Sequence, residues 1–133
     1  KKELNTAMVL ITHDLGVVAQ NCEYVAIMYA GEIVEYGELR DVFKKGLHPY
    51  TEGLFASIPK LNEDVERLQP IEGLMPDPAN LPEGCTFHPR CKYAKDICKT
   101  QKPKKSVIEG EHIVYCHRFS EHEYLWKDGQ ENE

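Results

Sequence analysis

At 133 residues the chain holds one domain, or one small domain with a structured tail, and 41% hydrophobic residues allow a real core. A net charge of −6 makes indiscriminate nucleic-acid binding a poor expectation. The longest apolar run, Tyr24 to Ala30, covers seven residues, far short of the roughly 20 that a spanning helix needs, and Lys1-Lys2-Glu3 opens no secretion signal. Because the chain begins with Lys1 and not with Met, a fragment or a processed product is expected.

In chain order, Ala7-Met8-Val9-Leu10-Ile11-Thr12 is almost continuously apolar, which predicts a strand covered on both faces. It stops at His13-Asp14. A short helix follows, with Leu15, Val18 and Ala19 on one face. Tyr24 to Tyr29 reads as a second apolar strand, and Ala30-Gly31 as a tight turn into a hairpin partner, Glu32 to Tyr36, which Gly37 is expected to break. Glu38 to Lys45 looks helical, with Gly46 as its stop. Pro49 suits the first turn of another helix, which carries Leu54, Phe55 and Ile58 on its apolar face and ends at Pro59. From Pro59 the texture changes: residues 59–90 hold six of the eight prolines, so an extended connector is expected. It leads to a cysteine-bearing segment, 85–116, expected to be irregular and to need a staple to keep one shape.

His13 sits where a buried strand would end, the edge at which open α/β sheets place ligands. A histidine there can contact a phosphate or polarise water, or it can simply cap the next helix. The run Leu10-Ile11-Thr12-His13-Asp14-Leu15-Gly16-Val17-Val18-Ala19, followed by Val25 through Gly37, resembles the final section of ABC-transporter ATPase domains. That resemblance implies that His13 is the switch histidine, which in the family contacts the γ-phosphate of ATP and helps organise the attacking water. The phosphate-binding loop of form G-x-x-x-x-G-K-S/T, the signature sequence and the catalytic glutamate do not occur in this sequence. The fragment is therefore expected not to hydrolyse ATP by itself, with ATP and Mg binding reserved for the full-length parent. Exposed sheet edges are expected to make an isolated fragment dimerise or swap.

Five cysteines without an export signal argue for reduced thiols and rank metal binding above disulfides. Cys85-x5-Cys91-x6-Cys98-x17-Cys116 offers four thiolates within 32 residues, with His88, His112 and His117 close by. Zinc and an iron–sulfur cluster both suit that donor set, and the spacing does not choose between them. Four buried, unligated cysteines are the plain alternative. The segment carries seven basic residues against three acidic ones, so it is +4 while the remainder is −10. This excess would offset a negatively charged metal site; it also permits a rival reading, a small metal-stapled nucleic-acid-binding module. Sparse aromatics (Phe87, Tyr93, Tyr115) weigh against that rival. A cysteine nucleophile paired with His88 or His117 fares worse, because a nucleophile needs a base on a rigid scaffold.

His48-Pro49-Tyr50-Thr51-Glu52-Gly53-Leu54 resembles a segment of oligopeptide and dipeptide importer ATPases, and Leu81 through Cys91, with Cys98 and Tyr115-Cys116-His117, resembles the C-terminal extension of that subfamily. What the resemblance implies is a 4Fe-4S (four-iron, four-sulfur) cluster on Cys85, Cys91, Cys98 and Cys116, with zinc as the alternative. Cys22 lies outside the motif as an ordinary, partly buried thiol. The fold class so implied is α/β: the C-terminal fragment of a P-loop ABC ATPase domain over residues 1–58, a Pro-rich connector over 59–84, a metal-stapled extension over 85–119 and a tail over 120–133. The implied partners are a second, homologous ATPase subunit and membrane permease subunits, at the cytoplasmic face of the cell membrane, energising peptide import.

Overall fold

The computed structural model describes residues 2–58 and 70–120. The first element is a helix, α1 (Leu15–Asn21), which starts where the Asp14 carboxylate accepts from the Gly16 and Val17 amides and so satisfies two N–H groups that no helical carbonyl can reach. Next come β1 (Tyr24–Tyr29) and β2 (Glu32–Glu38), joined by Ala30 and Gly31 at φ 49° and 79°, the paired positive dihedrals of a type I′ hairpin. Helices α2 (Leu39–Lys44) and α3 (Pro49–Ala56) follow. The cysteine-bearing region adds α4 (Asp96–Thr100), β3 (Ser106–Glu109) and β4 (His112–Val114).

Among the described residues the strands form one antiparallel sheet of four, in the order β1-β2-β4-β3. Tyr24 faces Glu38 and Ile27 faces Glu35, with a register shift before Met28, while Glu35 and Tyr36 of β2 face Val114 and Ile113 of β4. The sheet thus crosses from the first part of the chain into the cysteine region.

Strand β1 alternates strictly, so Val25, Ile27 and Tyr29 turn inward and Met28 outward. Those three join Val18, Val34, Val42 and Phe87 in the main core, against which Leu54, Phe55 and Ile71 pack. Gly53 admits Ile71 to the α3 surface, since a Cβ there would stand 2.6 Å from the Ile71 Cγ1. A smaller cluster of Leu47, Val114 and Cys116 lies beneath β4.

Several expectations need correction. Residues 7–12 form no strand, and their side chains are exposed, Ile11 to 95%. A strand covered on both faces needs flanking strands and covering helices, and no described residue supplies them. Gly37 does not break β2; it pairs with Val25, and its missing Cβ leaves room for Val42 and His112, both 3.2–3.3 Å from where that atom would be. Helix α2 begins at Leu39, with Glu38 still in the strand. The cysteine region is not irregular throughout, because a β3–β4 hairpin turning at Gly110 (φ 55°) ties it into the sheet. Pro59, most of the first half of the connector and the tail beyond Ser120 lie outside the described residues.

Candidate functional site

Backbone contacts draw the four motif cysteines together. Gly84 (φ 68°) lies against the chain at α4: a Cβ there would stand 2.8 Å from the Lys99 carbonyl carbon. That closeness lets the Cys85 N–H donate to the Cys98 carbonyl at 2.8 Å. A 3-10 turn over His88–Arg90 then delivers Cys91, whose N–H donates to the His88 carbonyl at 3.2 Å. Cys98 lies in α4, and Cys116 follows β4. All four line one cavity, together with His48, Pro49, Phe87 and Arg118. Phe87, almost wholly buried, anchors this arrangement to the first part of the chain by an edge-on contact with Tyr29 (centroids 5.1 Å, 88°) and a tilted one with Tyr50 (5.6 Å).

Three of the thiols, Cys85, Cys91 and Cys116, are held in their neutral, poorly nucleophilic form. Burial pushes Cys116 up to about 12 and Cys91 up to about 11, and it raises Cys85 as well. The backbone amides of Arg118, Tyr93 and Phe87 respectively pull the other way, and the neighbouring cysteines raise one another. His88 Nδ1 is engaged with the Cys85 carbonyl at 2.8 Å and His117 Nε2 with the Gln101 carbonyl at 2.8 Å, so neither nitrogen serves as a base for a cysteine. The nucleophile reading loses its activated thiol on this ground.

The donor set suits a metal or cluster in kind: four thiols, half-buried or buried, face a common space, with backbone amides directed at the sulfurs of Cys85, Cys91 and Cys116. Among the described residues no group of three or more His, Cys, Asp or Glu is placed to hold a single metal ion, which needs its sulfurs about 2.3 Å from one point. A four-iron cluster spreads the same four ligands over a larger body. The free volume is about 10 Å³, at the lower limit of what holds one water, so a cluster requires the cysteine loops to stand farther apart.

His13 does not share this cavity. It is exposed, beside Asp14, and Asp14, not His13, caps α1. Cys22 is half-buried at the end of the same helix and packs on the main core, away from the motif.

A second polar centre lies on β2 and β4. Glu35, on the central strand β2, is 0% exposed. Its carboxylate accepts from the Leu47 and His48 amides, both at 3.0 Å, and meets His112 Nε2 at 2.6 Å. One side chain therefore joins β2, the loop before α3 and β4. His48 is 1% exposed; its Nδ1 accepts from the Tyr50 amide at 3.0 Å, capping α3. Burial first, and the Arg118 charge second, lower its pKa from 6.5 to about 3, so the ring is neutral. The sequence signal for this centre was slight: a lone carboxylate in an apolar strand, and a histidine noted only for lying among cysteines.

Comparison with known proteins adds a family. Residues 34–98 match the oligopeptide/dipeptide transporter C-terminal region. The chain is 46% identical over 121 residues to a dipeptide transport ATP-binding protein, DppD, of Caldanaerobacter subterraneus, covering 91% of this chain and 37% of that one. It is 43% identical over 120 residues to an oligopeptide transport ATP-binding protein, AppD, of Bacillus subtilis (90% and 37%). Against the oligopeptide transport ATP-binding protein OppD of Escherichia coli the identity is 46% over 110 residues (83% and 33%). The chain spans little more than a third of the length of these relatives.

Proposed function

We propose that this chain, which matches the oligopeptide/dipeptide transporter C-terminal region over residues 34–98, is part of a subunit whose ATP hydrolysis drives peptide import through a membrane permease. The observation that carries this reading is identity of 43–46% sustained over 83–91% of the chain, to relatives named for peptide transport and ATP binding. The nucleic-acid-binding alternative is set aside on the same ground. Among the described residues no helix is long and apolar enough to cross a membrane, so permease subunits would supply the span.

Within that reading, Ala7–Thr12 takes its place in the larger sheet of the whole subunit, which accounts for apolar side chains that stand bare here. His13, at the end of that run, then meets the γ-phosphate of ATP held between two such subunits. The experiment is His13→Ala in the full-length subunit. ATP turnover should fall by about a hundredfold or more, as for loss of a group acting in the transition state, while ATP binding stays nearly intact. Unchanged turnover would remove the role.

The same reading assigns a 4Fe-4S cluster to Cys85, Cys91, Cys98 and Cys116, with zinc as the alternative. Their shared cavity and the amides directed at the sulfurs support it. Such a group supplies a structural staple or a redox-active centre when bound. The chain's own part is to present four thiols from three separate stretches, hold them out of bulk water, and link them through Phe87 and Cys116 to both hydrophobic clusters.

A further inference from the structure

Three histidines, His48, His88 and His117, line the cysteine cavity, and their hydrogen bonds fix where each neutral ring keeps its proton. A carbonyl oxygen can only accept. His88 Nδ1 therefore donates to the Cys85 carbonyl at 2.8 Å, and His117 Nε2 donates to the Gln101 carbonyl at 2.8 Å. The second nitrogen of each neutral ring is then a lone pair and has no proton to give. His48 is arranged the opposite way. Its Nδ1 accepts from the Tyr50 amide at 3.0 Å, so the ring proton is on Nε2. Nothing among the described residues accepts from that N–H, although His48 is 1% exposed.

The ring is also held in place. The His48 amide donates to Glu35 at 3.0 Å, its carbonyl accepts from the Glu52 amide at 3.0 Å, and the ring packs on Phe87 with centroids 5.6 Å apart. Arg118, the cation of the same lining, is turned to Glu52 at 3.4 Å and lies over the Tyr93 ring. A fixed, buried N–H beside four sulfurs calls for an acceptor, and sulfur is what the cavity offers. Resting on the reading that Cys85, Cys91, Cys98 and Cys116 hold a 4Fe-4S cluster, we propose that His48 Nε2–H donates a hydrogen bond to a sulfur of that cluster. Reduction adds one electron's charge to the sulfurs, and a donor aimed at them stabilises the reduced state and raises the reduction potential.

The test is a redox titration of the full-length subunit prepared without oxygen, with iron and sulfide measured on the same samples. His48→Ser keeps an oxygen that can cap α3 but has no distal N–H. It should hold the same iron and sulfide, yet its reduction equilibrium should shift about tenfold toward the oxidised form, about 59 mV lower for one electron. His48→Gln, which retains a distal amide N–H, should recover most of that shift. Equal potentials in all three proteins at equal iron content would overturn the proposal and leave the cluster reading standing. An unmodified subunit without iron would overturn both. Should His48→Ser lose its fold by circular dichroism, the unmodified subunit still decides the matter through nuclear magnetic resonance with 15N-labelled histidine. The His48 proton should be on Nε2, and its signal should shift when the cluster is reduced. A proton on Nδ1, or a signal that does not move, would overturn the proposal.

Discussion

The two halves of the sheet are held by different chemistry. On the β1 side, Val25, Ile27 and Tyr29 pack against Val18, Val42 and Phe87, and the cohesion is apolar burial and ring contact. On the β4 side, Val114 and Leu47 are joined by Glu35, His112, His48 and Cys116. Apolar burial is indifferent to pH and ligands; a region built on buried polar and sulfur groups is sensitive to both. The cysteine region is therefore the part expected to respond to its surroundings, and Glu35 is the buried side chain that ties it to β2.

The sharpest way to break this contrast is Glu35→Ala. It strands the Leu47 and His48 amides and the His112 ring in a dry site, which costs about 1–3 kcal/mol for each buried group left without its partner. Urea unfolding should show it as a lower midpoint. A loss under about 1 kcal/mol would mean that the two halves are not joined through Glu35.

A smaller effect comes from acid. The folded-state pKa of His48 is lowered to about 3, so the unfolded chain binds the proton more readily. Its contribution is fully present above pH 6.5 and is lost as pH falls toward 3; at pH 5 the loss is about 2 kcal/mol. Comparing urea midpoints at pH 7 and pH 5 measures it, and His48→Gln should flatten that part of the profile. Smallest is Lys102→Ala, which removes an exposed pair with Glu32 and should cost less than about 1 kcal/mol, with salt erasing even that. A large, salt-insensitive loss there would blur the division between buried and surface electrostatics.

Much of the β1 side was legible in the sequence. Ala30-Gly31 between two apolar runs announced the hairpin, and β1 falls where its pattern placed it. The run Ala7–Thr12 has the same apolar character but forms no strand, because composition records a tendency to be covered and not whether a covering partner is at hand. The hairpin of Ser106–Glu109 and His112–Val114 was missed although Glu109-Gly110-Glu111 lies between β-branched residues, a turn signal overshadowed by the cysteines around it. The four cysteines were legible as a set, and the structure brings them to one cavity. Glu35 was not. A carboxylate in an edge strand would point to water, and only the pairing of β2 with β4 makes it central and buried.

The assignment of Cys85, Cys91, Cys98 and Cys116 to one cluster is tested most directly by iron, zinc and acid-labile sulfide analysis of protein prepared without oxygen. The account predicts about four iron and four sulfide per chain, lost together in Cys98→Ser. One zinc without sulfide, or no metal with all four thiols free to react, would contradict it.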